Sequence, residues 1–235
     1  MIKIFKINDN VKLYSLNNSE NFDEKIAEVM SDNINKGLCL LPGGSTPLLA
    51  YQILSKNRNI KPARKVLITD DRLVDLNSSK SNYTMLRKNL KIGFLEGYPL
   101  SYFNEINSYG LTRANEKIDN IIRSSDIECS FLGLGEDSHT ASLFPNNSEI
   151  LGCESSGLIV RNANEDFSRY SLSYQTILSS KKIIFLIKGE NKLNALISIL
   201  SNEKNYPQLP AQKIINEHEN IQIFCDFKFP INKYW

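Results

Sequence analysis

Short apolar runs alternate with segments of helical periodicity along this chain. The runs predict buried β-strands at residues 37–41, 65–69, 131–134, 182–187 and 221–225. Apolar residues at helical spacing predict amphipathic helices over residues 22–34, 111–122 and 193–200, and further helices begin near residues 47 and 81. Because strands and helices alternate, we predict an α/β fold of the three-layer, Rossmann-like kind, with a mostly parallel sheet covered by helices on both faces.

Residues 145–173 depart from this alternation. Their pattern is less regular, which leaves room for a small antiparallel excursion from the main sheet. No Pro- or Gly-rich linker divides the chain, so we expect residues 1–235 to form a single domain.

Composition narrows the class of protein. With 235 residues, 41% of them hydrophobic, the chain can bury a sizeable core. The 28 basic and 26 acidic residues give a net charge of +2, so we expect no nucleic-acid partner. We also expect no membrane association, because no run approaches the roughly 20 apolar residues of a membrane span.

The four cysteines include no C-x-x-C pair, which argues against a metal cluster or a redox motif. Cys39, Cys129 and Cys225 lie in apolar runs, where we expect them to pack as small hydrophobic side chains. This usage fits a reduced, cytoplasmic protein.

Polar clusters follow four of the predicted strands, at residues 43–46, 70–72, 137–139 and 188–192. The carboxyl ends of parallel strands meet at one edge of a sheet, so we expect these clusters to line one crevice. The strand before His139 ends at Gly135, and glycine allows a sharp exit of the backbone.

The first cluster resembles an anion site. Gly43, Gly44, Ser45 and Thr46 lead into a predicted helix, where exposed amides, the helix dipole and hydroxyls suit a phosphate. Ser45 or Thr46 can cap this helix and Pro47 suits its first turn. The alternative is a plain capped turn without a ligand.

The charged candidates have alternatives too. Arg72, after Asp70 and Asp71, can hold a phosphate or a carboxylate with a two-pronged hydrogen bond, or belong to a surface salt-bridge cluster. Arg169 and Lys192 supply further positive charge, although most such residues are ordinary surface charges.

His139 is the candidate acid–base group, because imidazole titrates near neutral pH. It can equally be a hydrogen-bonded loop histidine, or share a metal site with Asp137, although a single suitable histidine argues against a metal. A serine nucleophile is not supported, since G-x-S-x-G is absent. We expect the other histidine, His218, to be solvated between Glu217 and Glu219.

At these residues the sequence resembles the 6-phosphogluconolactonases, within the larger group that includes the glucosamine-6-phosphate isomerases/deaminases. The resemblance spans almost the whole chain. Its segments are LPGGSTP at 41–47, TDDR at 69–72, SNYTMLRKNL at 81–90, LGLGEDSHTASLFP at 132–145, RYSLSYQTIL at 169–178, IKGENKL at 187–193 and LPAQ at 209–212.

The resemblance implies a hydrolase without a cofactor that converts 6-phospho-D-glucono-1,5-lactone to 6-phosphogluconate in the oxidative pentose phosphate pathway. It implies His139 as general base, Asp137 as its orienting partner, and Arg72 or backbone amides as stabilisers of the carbonyl oxygen. The implied substrate- and phosphate-binding residues are Gly43, Gly44, Ser45, Thr46, Asp70, Arg169 and Lys192. The expected partner is a small phosphorylated sugar lactone, and the expected state is a monomer or a weak homodimer.

Two positions depart from the family pattern. Ser138 replaces the glycine of D-G-H, and Asp71 replaces the glutamate of D-E-R. The amino-sugar deaminases are the nearest alternative, but they read D-E-Y where this chain has Arg72, and F-N-E-P where it has residues 142–145, SLFP. A sugar-phosphate-binding protein without activity is a second alternative. A nicotinamide-dependent oxidoreductase is a third alternative, but the sequence lacks the glycine-rich motif that binds dinucleotides.

Overall fold

The fold is built on two β-sheets of unequal size. The structure is a computed structural model that describes residues 2–16, 19–56, 66–75, 77–90, 108–162 and 165–231. Strands in this part of the chain are β1 (Ile2–Lys6), β2 (Val11–Leu16), β3 (Leu38–Leu41), β4 (Val66–Ile68), β5 (Asp70–Arg72), β6 (Ile127–Gly133), β7 (Gly157–Arg161), β8 (Ser168–Leu172), β9 (Ile183–Ile187) and β10 (Ile221–Cys225).

The helices lie mostly between these strands, as predicted. They are α1 (Ser19–Ile34), α2 (Leu48–Leu54), α3 (Asn82–Asn89), α4 (Ser108–Ser124), α5 (Ser148–Leu151), α6 (Tyr174–Leu178), α7 (Leu193–Leu200) and α8 (Pro210–Glu217). Among the described residues, no helix is long and apolar enough to cross a membrane.

The larger sheet has the order β1-β2-β10-β9-β6-β3-β4. Its neighbouring strands are parallel except for the antiparallel pair β1–β2, which confirms the predicted mostly parallel sheet. The strand predicted at residues 65–69 is observed as β4, and Lys65 lies outside the described residues.

The smaller sheet is antiparallel and has the order β5-β8-β7. Strands β7 and β8 confirm the excursion expected within residues 145–173. The third strand, β5, was not predicted as a strand. Thr69 links the two sheets, because its N–H donates to the carbonyl of Leu41 (3.0 Å) and its carbonyl accepts from the N–H of Leu172 (2.9 Å).

Successive residues of the central strands face opposite sides of the large sheet, so each strand serves two cores. Leu38 and Leu40 belong to a core that includes buried residues of α4, α6, α7 and α8. Cys39 and Leu41 belong to a second core with residues of α1, α2 and α3. Helices therefore cover both faces, which confirms the three-layer α/β prediction.

Two local predictions are wrong. Helix α2 begins at Leu48 with Pro47 as its N-cap and no side-chain cap hydrogen bond, so neither Ser45 nor Thr46 caps it. His218 is buried rather than solvated: its Nε2 lies 2.7 Å from the Ser180 carbonyl, and its Nδ1 accepts from the Asn220 N–H at 3.1 Å. These two hydrogen bonds satisfy both ring nitrogens, which removes the need for water.

The cysteines behave as small apolar side chains. Cys39, Cys129 and Cys225 are buried with free thiols, as predicted. Burial raises the pKa of Cys39 and of Cys225 to about 12, so both thiols stay protonated at neutral pH.

Burial in the large sheet predicts which side chains can be shortened without loss of stability. Ile184 in β9 is 0% exposed and Ile4 in the edge strand β1 is 63% exposed. We expect Ile184→Ala to lower the free energy of unfolding by about 2–5 kcal/mol through lost apolar contacts and a cavity. The same change at Ile4 is expected to cost less than about 0.5 kcal/mol. Urea unfolding measures both, and equal losses would contradict this assignment of the core.

Candidate active site

Four neighbouring parallel strands bring their carboxyl ends to one edge of the large sheet. These are β4, β3, β6 and β9. The chain continues from β3 to β4 on one side and from β6 to β9 on the other, so the topology reverses between β3 and β6. Ligands bind at such a switch point in open α/β sheets, and a cavity of about 420 Å³ opens here.

The cavity brings together nearly all of the site residues predicted from the sequence. Asp137 does not line the cavity but is hydrogen-bonded to His139, which does. The predicted residues that line it are Gly43, Gly44, Ser45, Thr46, Asp70, Arg72, His139, Arg169 and Lys192. This placement brings them within reach of one ligand, while the role of each stays a prediction.

His139 and Asp137 form a close pair. Nδ1 of His139 lies 2.5 Å from Oδ1 of Asp137, and the backbone N–H of His139 donates to the same oxygen at 3.2 Å. The hydrogen bond from His139 lowers the pKa of Asp137, against the effect of partial burial. A carboxylate that holds the Nδ1 proton leaves the lone pair on Nε2, which can accept a proton. The imidazole also packs on the ring of Phe144, with centroids 4.8 Å apart.

A tight loop after β6 makes this pair possible. The N–H of Gly135 donates to the carbonyl of His139 (2.8 Å), so the chain folds back on itself. A Cβ atom at Gly135 would lie 2.1 Å from Nδ1 of His139 and 2.5 Å from Oδ1 of Asp137. Ser138 has φ of +67°, in the left-handed region where the family's glycine costs nothing and serine costs about 1 kcal/mol.

Arg72 carries a positive charge that has no ion-pair partner among the described residues. Its Nη1 donates to the carbonyl of Lys80 (2.9 Å) and to Oδ1 of Asn82 (3.2 Å), both uncharged acceptors. Among the described residues, no carboxylate oxygen lies within 4 Å of its guanidinium nitrogens. An incoming anion therefore meets an oriented guanidinium.

Asp71 fixes the strand that carries Arg72 against helix α3. Its buried carboxylate accepts hydrogen bonds from the N–H groups of Arg72 (2.8 Å), Asn82 (2.6 Å) and Tyr83 (3.2 Å) and from the hydroxyl of Ser81 (3.1 Å). Burial raises the pKa of Asp71 to about 6 although these hydrogen bonds oppose the shift. The group is therefore mostly a carboxylate at neutral pH and fits its four donors.

Asn82 lines the cavity but was not assigned to the site from the sequence. Its Nδ2 donates to the carbonyl of Asp70 (3.1 Å). A Cβ atom at Gly43 would lie 2.0 Å from Cγ of Asn82, so any other residue there would displace the Asn82 side chain. The SNY motif was the signal that could have identified Asn82, because it accompanies the other matching segments.

The remaining cations of the cavity have acidic partners. Arg169 donates through Nε to Glu165 at 2.7 Å and through Nη2 to the same carboxylate, and its Nη1 lies 3.8 Å from Oδ2 of Asp70. Lys192 is 3.7 Å from Oε1 of Glu136, a looser contact.

Two further residues of the segment 188–192 line the cavity, as expected for that cluster, although the sequence analysis did not name them as site residues. Lys188 is 2.5 Å from the buried carboxylate of Asp23, and Asn191 donates to Glu136 at 2.6 Å. Both line the cavity together with Lys192, the one residue of that segment that was named as a site residue from the sequence.

The metal alternative for Asp137 and His139 gains no support. Within the described parts of the chain, no group of three or more His, Cys, Asp or Glu side chains is arranged to hold a metal ion. Asp137 is instead engaged with Nδ1 of His139.

Comparison with known proteins assigns the chain to a family. The family described as glucosamine-6-phosphate isomerases/6-phosphogluconolactonase matches residues 16–223. The chain belongs to this family. A 6-phosphogluconolactonase from Chlamydia pneumoniae is 32% identical over 180 residues, which cover 74% of this chain and 69% of the relative. One from Borreliella burgdorferi is 24% identical over 232 residues, covering 92% and 95%.

A solved structure extends the family likeness to the fold. The crystal structure of a 6-phosphogluconolactonase from Shewanella baltica superposes with a TM-score of 0.83 at 22% identity, covering 93% of this chain and 98% of that chain. The family fold therefore applies to nearly the full length of this protein.

The need for a residue without a side chain at position 135 can be tested by substitution of Gly135. We expect Gly135→Ala to push the imidazole off Asp137, because the new methyl group would overlap both side chains. The free energy of unfolding should change by less than about 1 kcal/mol, since both obstructing groups are side chains that can move. Gly152→Ala is the control, because nothing lies within 4 Å of a Cβ there. Crystal structures and thermal unfolding measure the outcome, and an unmoved imidazole would contradict the analysis.

Proposed function

We propose that this protein hydrolyses 6-phospho-D-glucono-1,5-lactone to 6-phospho-D-gluconate, in the oxidative pentose phosphate pathway. The observation that carries the proposal is His139, held by Asp137, in one cavity with cationic side chains. The 6-phosphogluconolactonases among its relatives support the choice of substrate.

His139 acts as the general base. Nε2 takes a proton from water while the water oxygen attacks the lactone carbonyl carbon. The bond between that carbon and the ring oxygen then breaks, and the imidazolium returns the proton to the departing ring oxygen. Asp137 keeps the Nδ1 proton in place and stabilises the imidazolium by charge. A positioned base of this kind contributes about 10²–10⁴-fold to the rate.

Arg72 stabilises the negative charge that develops on the carbonyl oxygen. Its uncharged partners, Lys80 carbonyl and Asn82, support this role because they orient the guanidinium without cancelling its charge. Backbone amides of the neighbouring loops can add further donors.

The phosphate of the substrate binds to the loop 43–46 and to Lys192. The loop 43–46 offers amides and hydroxyls, and Lys192 offers a charge that Glu136 holds only at 3.7 Å. Binding energy from the remote phosphate positions the carbonyl beside His139.

The deaminase alternative needs a carboxylate in the loop after the histidine. In this chain Ser142 stands in that segment, and its hydroxyl donates to Oδ2 of Asp70 at 2.6 Å. The segment thus supports the cavity wall and supplies no acid.

The proposal includes a one-domain, cytoplasmic enzyme that acts as a monomer or weak homodimer, without a nucleic-acid or membrane partner. The four free thiols support a reducing compartment.

Turnover of freshly generated lactone, corrected for spontaneous hydrolysis, is the test of function. Hydrolysis supports the proposal. Release of ammonia from glucosamine 6-phosphate would favour a deaminase, and saturable binding of 6-phosphogluconate without turnover would favour a binding protein.

The two histidines offer a matched pair for the base assignment. We expect His139→Ala to lower kcat by about 10²–10⁴-fold, because the proton acceptor is lost, and to leave thermal stability nearly unchanged. His218→Ala should show the opposite pattern: a loss of about 1–3 kcal/mol of stability from its two buried hydrogen bonds, with normal kcat well below the unfolding temperature. Near-normal turnover of His139→Ala would reject the assignment.

Lys192 tests the phosphate end. Lys192→Ala should raise KM for the phosphorylated lactone about tenfold or more through the loss of a charge-assisted hydrogen bond. An unphosphorylated gluconolactone should be affected much less. The control is Lys181→Ala, an exposed lysine paired with Asp126 and Glu128. Equal losses with both lactones would assign Lys192 to another role.

A further inference from the structure

Glu165 binds two of the hydrogen-bond donors of Arg169, a cation that lines the active-site cavity. It lies in the connection between β7 and β8, and both Nε and Nη2 of Arg169 donate to its carboxylate, Nε at 2.7 Å. This is the two-pronged geometry with which arginine binds a phosphate or a carboxylate ligand. The Glu165 carboxylate thus binds the edge of the Arg169 guanidinium that an oxyanion ligand would bind.

Arg169 is held firmly beside the catalytic histidine. Its side chain is 10% exposed, and the guanidinium carbon lies 5.4 Å from the centroid of Phe144 and 5.9 Å from that of Phe167. The ring of Phe144 also packs against His139. Arg169 is therefore one aromatic ring away from the imidazole, and its donors have a fixed direction.

The local charge requires an acid at this point. Arg72 and Arg169 are paired directly across the β5–β8 ladder, where like charges repel. The carboxylate of Glu165 offsets them, and its pKa is lowered by Arg169 first and also by Arg72 and His139. Glu165 therefore stays ionised at neutral pH. An oxyanion that binds here supplies the same negative charge and makes Glu165 redundant.

Of the two acids near Arg169, Glu165 is the one that a ligand can displace. Asp70, the other acid near Arg169, is held by the hydroxyls of Ser142 (2.6 Å) and Thr69 (3.1 Å). In the part of the chain that the structure describes, the carboxylate of Glu165 has hydrogen bonds to Arg169 alone. Its displacement breaks the two hydrogen bonds to Arg169, which the incoming anion replaces.

We infer that Glu165 is an internal anion that competes with the oxyanions of substrate and product for Arg169, and so lowers the affinity of the cavity for them. The identity of these ligands rests on the proposed function. The competition weakens the binding of the product, which carries both a phosphate and a carboxylate and whose release each turnover requires.

The test measures dissociation constants by calorimetry for Glu165→Gln and Glu165→Ala. We expect 6-phosphogluconate to bind about tenfold more tightly to Glu165→Gln than to the unaltered protein. Glucose 6-phosphate, which has the phosphate only, and gluconate, which has the carboxylate only, identify the oxyanion: the ligand that gains affinity carries the group that meets Arg169. Glu149→Gln makes the same charge change at an exposed position on α5 and should alter nothing.

Unchanged or weaker binding of 6-phosphogluconate to a folded Glu165→Gln variant would overturn the inference. Weaker binding to Glu165→Ala would likewise overturn it, because Glu165 would then be a positioning residue that aligns Arg169. Circular dichroism and thermal unfolding establish that each variant is folded. Tighter binding in a protein that fails to hydrolyse the lactone would uphold the inference and reject the proposed function, so the two failures are distinguishable.

Discussion

The parallel hydrogen bonding of β4, β3, β6 and β9 is the constraint on which the site depends. Because these strands run in one direction, four loops that are far apart in sequence leave the sheet at the same edge. The reversal of the connections between β3 and β6 separates two of these loops and leaves a crevice. A reversed strand at any of these positions would remove its loop from the site.

The second constraint on the cavity is that its positive charges are paired with carboxylates of the protein. Lys188, Lys192 and Arg169 each face a carboxylate of the protein, at distances up to 3.8 Å. Partly buried cations need such partners, since an isolated charge away from water is costly. Arg72 differs because its partners are a carbonyl and an amide. The cavity thus combines cations that have carboxylate partners with one, Arg72, whose hydrogen-bond partners among the described residues are uncharged.

The parts of the fold predicted from the sequence are those that depend on burial along one element. Central strands are buried on both faces, so they show as continuous apolar runs. Strand β1 is mostly exposed, and neither of its faces is fully buried. Its alternation of apolar and basic residues was therefore not recognised as a strand. Helix α8 was also not predicted, although Pro210 stands at its start.

Tertiary contacts explain the features that the sequence could not reveal. His218 is buried because the end of α8 meets the carbonyl of Ser180, thirty-eight positions earlier. The shared direction of the predicted parallel strands was enough to place His139, Arg72 and Lys192 at one edge of the sheet. Nothing in the sequence indicates that Glu165 contacts Arg169, because that contact depends on how the connection between β7 and β8 folds.

Thr69 has a mechanical consequence for the site. As the single residue between β4 and β5, it joins the backbone ladders of both sheets. The small sheet carries Arg72 and Arg169, and the loop that follows β6 of the large sheet carries His139. A rigid backbone junction of this kind restrains rotation of one sheet against the other, so thermal motion should shift the two arginines in concert and preserve their spacing from the imidazole.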